Sequence, residues 1–260
     1  MDNKKTLPRF AAVMLVIVGT CAITSPGFAQ QPVVVELFTS EGCSSCPPAD
    51  AMLIKLSHQR NTNIANLILL EEHVEYWNGQ GWNDRFSASD YTQRQYDYVK
   101  DLHLKTAYTP QIVIDGHLQA SGNDPGAVQQ LILQEAKTTK PVAVSLHLAS
   151  PEKLQVTVDD PSRARLDVVL AVTEDGLTTN VRGGENGGKT LTHSAVVREL
   201  RKLGSTSDGK FDKTVSLPDK SDWKKADLRA IVLVQDSKSG TILGAAQVPY
   251  ETSSAAAAGQ

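Results

Sequence analysis

Apolar and polar positions change rhythm near residue 140. Before that point, short β-branched runs alternate with stretches of helical spacing. Residues 33–38 form a nearly continuous apolar run, as a strand buried on both faces requires. Ala49, Met52, Leu53 and Leu56 follow at i, i+3, i+4 and i+7, which predicts a helix with one face inward. Pro47 and Pro48 suit its first turn, where no backbone donor is needed. Residues 67–70 are the next predicted strand, and a parallel pairing with the first closes a right-handed βαβ unit. The polar stretch 84–102 reads as helix, with Phe86, Tyr91, Tyr98 and Leu102 available for packing. Residues 112–114 and 117–120 flank Asp115-Gly116 as a hairpin with a two-residue turn. Pro125 opens a last helix carrying Val128, Leu131, Ile132 and Glu135 at helical spacing.

From Pro141 onward the period is two. Val142, Val144, Leu146 and Leu148 alternate with polar residues, as do Leu154, Val156 and Val158, then Leu166, Val168, Leu170 and Val172. The runs 231–234 and 241–243 continue the series, and short strands at such spacing predict a β-sandwich. Residues 252–260 form a small-residue tail, expected to be disordered.

Lys4, Lys5 and Arg9 precede a short apolar core over 10–18, and Gly27-Phe28-Ala29 reads as a cleavage site. The segment is too short to span a bilayer, so residues 1–29 read as a signal peptide and the chain as periplasmic or secreted. A lipid anchor on Cys21 fits less well, because Thr20 stands where a smaller residue is expected. The formal charge of −3 becomes about −5 after cleavage. A mildly acidic chain with no basic run has no footprint for nucleic acid. No later segment is long and apolar enough for a membrane helix. Length suggests two mature domains, 30–140 and 141–251.

Cleavage leaves Cys43 and Cys46, which stand between the first strand and the first helix as Cys-Ser-Ser-Cys. Two cysteines in an exported chain of this length do not make a disulfide scaffold. At a strand-to-helix junction the helix N-terminus favours a thiolate, and a thiolate is what attacks disulfides. Three readings stay open for the pair: thiol–disulfide exchange, a structural disulfide, or capture of a soft metal ion by two thiolates.

Other residues carry possible chemistry. His73 ends the second strand of the βαβ unit, on the sheet edge where the cysteines also lie. There it assists proton transfer or completes a metal site, or else it is buried against Tyr76 and Trp77 and bonded to backbone. Glu36 is a carboxylate within an apolar strand: a raised-pKa acid serving the cysteines, one half of a salt bridge, or a residue at a solvent-facing edge. Tyr76, Trp77, Trp82 and Phe86 make an aromatic loop, a substrate platform or the core of an insertion. Residues 183–190 spell G-x-x-x-x-G-K-T, but no strand–loop–helix context accompanies them, and a turn between strands explains the glycines. His58, His103, His117, His147 and His193 show no ligand spacing and read as packing or surface residues.

The order strand, Cys-x-x-Cys helix, strand, helix, Thr109-Pro110, hairpin, helix resembles the thioredoxin core. That resemblance implies a cis bond before Pro110 and a substrate-facing role for this proline. More narrowly, the chain resembles an exported bacterial family known as domain of unknown function 1223. Val34-Glu36-Leu37-Phe38-Thr39-Ser40, Cys43, Cys46-Pro47-Pro48-Ala49-Asp50 and His73-Val74-Glu75-Tyr76-Trp77 carry the likeness. Gly81-Trp82, Arg94-Gln95, Tyr108-Thr109-Pro110-Gln111, Asp115-Gly116, Gly184-Glu185-Asn186, His193 and Val196-Val197-Arg198 extend it. Glu71-Glu72 departs from the apolar strand end expected before His73, which leaves that strand's last residues open.

The expectation is therefore an α/β thioredoxin-like domain followed by a β-sandwich-like domain. Its function is that of an exported thiol–disulfide oxidoreductase acting on a protein or small-molecule thiol or disulfide. Cys43 is the attacking thiol, expected to be more exposed than the resolving Cys46, with Pro110, Glu36 and His73 around them. No organic cofactor is called for and no metal ligands are assigned. The alternative is a non-enzymatic module that holds a partner protein or a metal ion.

Overall fold

The β-branched runs pair as expected, but they pair across the whole chain. The computed structural model describes residues 1, 31–60 and 65–250. The expected leader, its cleavage point and the tail 252–260 lie outside the described residues. Strands β1 (Pro32–Thr39) and β2 (Asn66–His73) run parallel, with helix α1 (Pro47–Ser57) between them. After helix α2 (Ser89–Asp101), strands β3 (Gln111–Ile114) and β4 (Leu118–Ser121) add antiparallel beside β1. Helix α3 (Pro125–Glu135) follows, its first turn capped by Asp124, whose side chain accepts from Ala127 N. The β3–β4 connection has three residues rather than two. Asp115 turns inward at positive φ and accepts a hydrogen bond from Val34 N.

The second half contributes β5 (Ala143–Ser150), β6 (Lys153–Asp159), β7 (Asp167–Glu174), β8 (Leu177–Asn180) and β9 (Thr190–His193). Then come β10 (Val196–Ser205), β11 (Lys210–Ser216), β12 (Leu228–Gln235) and β13 (Ile242–Pro249). The decisive strand is β10. It pairs antiparallel with β7 on one side and parallel with β2 on the other, through Val196 and Glu71. One eight-stranded mixed sheet results, in the order β13-β12-β7-β10-β2-β1-β3-β4.

This corrects the expected fold class. The chain is not a helix-flanked α/β thioredoxin-like domain followed by a separate β-sandwich-like domain. Among the described residues strand makes up 41% and helix 19%, and the large sheet crosses the point where the two were expected to part. The physical reason is the pairing of β10, whose mixed sequence VVRELRKLGS gives no sign of its neighbours.

The sheet has two differently covered faces. On one, α1 and α3 pack over Val33, Val35, Leu37, Leu67 and Leu69, and the three-stranded sheet β11-β6-β5 covers Val168, Leu170, Val172 and Val232. On the other, Val34, Ile68, Leu70, Ala171, Ile231 and Leu233 form a second core that includes Tyr91 of α2. The sheet curls until β13 meets the β3–β4 turn and β2: Ile242 N donates to Asp115 O, and Gln247 donates to Leu67 O. Gly116 permits that approach, since a Cβ there would lie 2.1 Å from Gly240 O.

Candidate functional site: the cysteine loop and the charged cluster beside it

Cys43 and Cys46 form a disulfide at the start of α1, with Cys46 as the N-cap residue. The loop is a chain of turns, with Cys43 N donating to Ser40 O and Cys46 N to Cys43 O. Ser45 Oγ lies 3.3 Å from Cys43 Sγ, so an exposed hydroxyl contacts that sulfur. Both cysteines are fully buried, while Ser44 and Ser45 are exposed. The expected difference in exposure between the cysteines is thus absent.

The cover comes from the β8–β9 connection, the stretch that imitates a phosphate loop. Asn186 is buried and donates from Nδ2 to Glu41 O and to Cys43 O, both at 2.9 Å. Glu185 accepts from Ser44 N, and the Ser44 hydroxyl first and this backbone N–H second draw its carboxyl below the usual range. Gly183 makes the approach possible, since a Cβ there would lie 2.2 Å from Gly81 O. Gly183 and Gly184 therefore serve close packing of this connection against the loop that precedes α2. The connection joins two strands, as its sequence context indicated.

Thr109-Pro110 is a cis peptide bond. Trp77 links it to the cysteine loop: its Nε1 donates to Thr109 Oγ1, and its Cβ lies 3.2 Å from an ideal Cβ on Gly42. Gly122 fits between Pro110 and Ala49 of α1, and the adjacent Asn123 donates to Ser45 O. Pro110 thus shares a corner with the cysteine loop. Of the aromatic loop, Tyr76 and Trp77 pack on Phe38 and Tyr98, and Trp82 Nε1 donates to Glu41 Oε2.

Residues paired across parallel strands share a face, so Leu37 with Glu71 and Thr39 with His73 point toward α1. Asp50, one turn below Cys46 on α1, meets them there. Its Oδ1 accepts from Thr39 Oγ1 at 2.7 Å, and its Oδ2 is buried without a hydrogen-bond partner. Burial, reinforced by the charge of Glu71, pushes the Asp50 carboxyl up to about 7, against the opposing pull of His193, Thr39 and His73.

His73 Nδ1 is 2.7 Å from Asp84 Oδ2, and its Nε2 is 3.5 Å from Glu71 Oε1. His193, brought in by β9, has Nδ1 2.6 Å from the same Glu71 oxygen and Nε2 3.6 Å from Glu41 Oε1. Glu71, His73, His193 and Glu41 are all fully buried. Burial lowers the affinity of both imidazoles for protons, but the carboxylates outweigh it. Asp84 and Glu71 hold His73 well above its ordinary value, and Glu71 and Glu41 lift His193 to about 9. Conversely, burial raises Glu71 and Asp84, yet their histidine partners hold each at about 2.

Glu36 does not join this group. It lies on the opposite face of β1, accepting from Arg94 Nε and from Tyr98 Oη of α2. The place that sequence reasoning gave to Glu36 is occupied by Asp50. The sequence carried the signal, since Cys46, Ala49, Asp50 and Leu53 fall at i, i+3, i+4 and i+7 of one helix. His193 left no comparable mark, because 122 residues separate it from Glu71.

The chain belongs to the family described as protein of unknown function (DUF1223), which matches residues 34–235. No curated protein matches it. Among solved structures it is similar to a structural-genomics target protein from Agrobacterium tumefaciens. The two share 26% identity at a TM-score of 0.67, over 86% of this chain and 97% of that one. A domain of the outer membrane lipoprotein Omp28 from Porphyromonas gingivalis shares 12% identity over 41% of this chain and 84% of that one, at a TM-score of 0.24.

Proposed function

We propose that the chain is an exported thiol–disulfide oxidoreductase working through Cys43 and Cys46. The observation that carries this reading is the pair's position: a Cys-x-x-Cys disulfide opens α1, and the buried Asp50 carboxyl sits one turn below it. In the reduced protein the Cys43 thiolate attacks a substrate disulfide. One substrate thiolate leaves and a mixed disulfide forms. The Cys46 thiolate then attacks the Cys43 sulfur, closing the protein disulfide and releasing the second substrate thiol. Two electrons pass from the dithiol to the substrate, and the reverse sequence oxidises a substrate dithiol.

Cys43 takes the attacking role because its sulfur touches the exposed Ser45 hydroxyl, a donor suited to a thiolate. Asp50 supplies a buried group able to hold the proton that Cys46 must lose. The basic, apolar and small-residue segments of the N-terminus support export, where a disulfide persists. Because Asn186 and Glu185 cover the cysteines, a substrate enters only after the β8–β9 loop withdraws.

A second reading, a binding module with a structural disulfide, draws on the complete burial of both cysteines. Trapping separates the two. Cys46→Ser, offered oxidised glutathione or insulin, is expected to accumulate a stable mixed disulfide, whereas Cys43→Ser traps nothing. Equal trapping by both variants, or none by either, would remove the exchange mechanism and leave the binding module.

A further inference from the structure

The trio Glu71, His73 and His193 serves no step of thiol exchange, and its geometry has its own logic. Glu71 and His73 are two apart on β2, and β9 delivers His193 to the same side of the sheet. One donor atom from each lies within 4.8 Å of the other two. Each histidine turns one nitrogen toward this centre and the other toward a carboxylate outside it. His73 Nδ1 rests on Asp84, leaving Nε2 directed at Glu71 and without a hydrogen-bond partner. His193 Nδ1 meets Glu71, while its Nε2 faces Glu41 Oε1 across 3.6 Å, and neither of those two atoms has a hydrogen-bond partner.

Unpartnered polar atoms in a fully buried site are costly. Here they follow the arrangement by which proteins orient metal-binding histidines, one ring nitrogen on the ion and the other on a carboxylate. We propose that Glu71, His73 and His193 bind a divalent transition-metal ion of the zinc class. Asp84 and Glu41 act as the carboxylates that fix the two rings.

One donor pair already stands at the spacing of a tetrahedral ion, and a second must open. Bonds of about 2.0–2.1 Å place neighbouring donor atoms roughly 3.3–3.4 Å apart. His73 Nε2 and Glu71 Oε1 stand at 3.5 Å. The 2.6 Å contact between His193 and Glu71 opens when the ion replaces the shared proton. Two imidazoles and one carboxylate are a set that zinc accepts, with one coordination position left over. The cysteines are not ligands in this scheme, so the site stands or falls separately from disulfide exchange.

The test uses metal-free protein titrated with cobalt(II) or zinc(II) alone. Wild type is expected to take up about one ion per chain, with a cobalt absorption spectrum of low-coordinate nitrogen and oxygen ligands. Its thermal midpoint rises as zinc is added. His73→Gln and His193→Gln lose this binding, and Asp84→Asn weakens it by roughly 10–100-fold. The Cys43→Ser/Cys46→Ser double variant retains it while losing all exchange. Absence of uptake and of any thermal shift in wild type overturns the proposal without touching the exchange mechanism. Uptake that disappears with the cysteines, or that survives in both histidine variants, overturns it as well.

Discussion

The two faces of the β1–β2 pair both bury carboxylates, and they solve the problem differently. Toward α2, Glu36 and Glu72 share one guanidinium. Arg94 donates to Glu36, stands 3.5 Å from Glu72 and also bonds Tyr98. Burial lowers the Arg94 affinity for its proton, but Glu36, Tyr98 and Glu72 reverse this and raise it. Glu72 is pushed well above the ordinary glutamate value by burial and then by Glu36. Toward α1, Glu71, Asp84 and Glu41 face imidazoles, and Asp50 has only a hydroxyl. A guanidinium keeps its proton at any working pH, whereas an imidazole can exchange its own for a metal ion. The α2 face is therefore an anchor and the α1 face the one on which we propose the chemistry, although both read as acidic residues in strands.

Removing the anchor gives the largest expected effect. Arg94→Met leaves the Glu36 charge buried without its cation, and a loss on the order of 3–5 kcal/mol is expected in urea unfolding. Adding Glu36→Gln restores part of that loss. A single variant as stable as wild type would mean that the two faces do not differ as described.

Asp50→Asn sharpens the contrast through pH. In metal-free protein the folded state holds the Asp50 proton up to about pH 7, while the unfolded chain releases it near pH 4. Folding therefore binds a proton between those values, and wild-type stability falls as pH rises through that window. Burial is the main cause of the shift and the Glu71 charge adds to it, while His193, Thr39 and His73 on the same face oppose it. An amide in place of the carboxyl carries no such penalty. The variant's stability advantage should be absent below about pH 4, grow to about pH 7, and level off above it. Thermal midpoints across pH 3–9 check this, and a pH-independent difference contradicts it.

Asn186→Ala is expected to act more gently. It removes donors from the carbonyls of Glu41 and Cys43, costing roughly 1–2 kcal/mol. It also loosens the cover, so reduction of the disulfide by dithiothreitol should accelerate several-fold. An unchanged rate with lowered stability would leave the loop a structural cover only.

How much of this was legible follows from which contacts are local. The strand–cysteine–helix junction, α1, α3 and the β3–β4 hairpin are written in short-range spacing, and each appears within a few residues of its expected place. Thr39 and His73 share a register that parallel pairing alone supplies. Parity also shows that Glu36 and Thr39, three apart on one strand, face opposite ways. Glu71-Glu72, odd as a strand end, divides its two carboxylates between the two faces for the same reason. The eight-stranded sheet was not legible, because it depends on β10 meeting β2 at a single residue pair. His193 was hidden likewise: its importance lies in a neighbour reached through folding and not through spacing.

The most direct test of a working α1 face is the redox midpoint of the Cys43–Cys46 pair. The protein is equilibrated in dithiothreitol buffers of graded potential, and the thiol form is counted by mass after alkylation. One two-electron transition is expected, with a midpoint above about −300 mV, in the range of exchanging couples. A pair that stays oxidised well below that potential is a structural staple and contradicts a role in exchange.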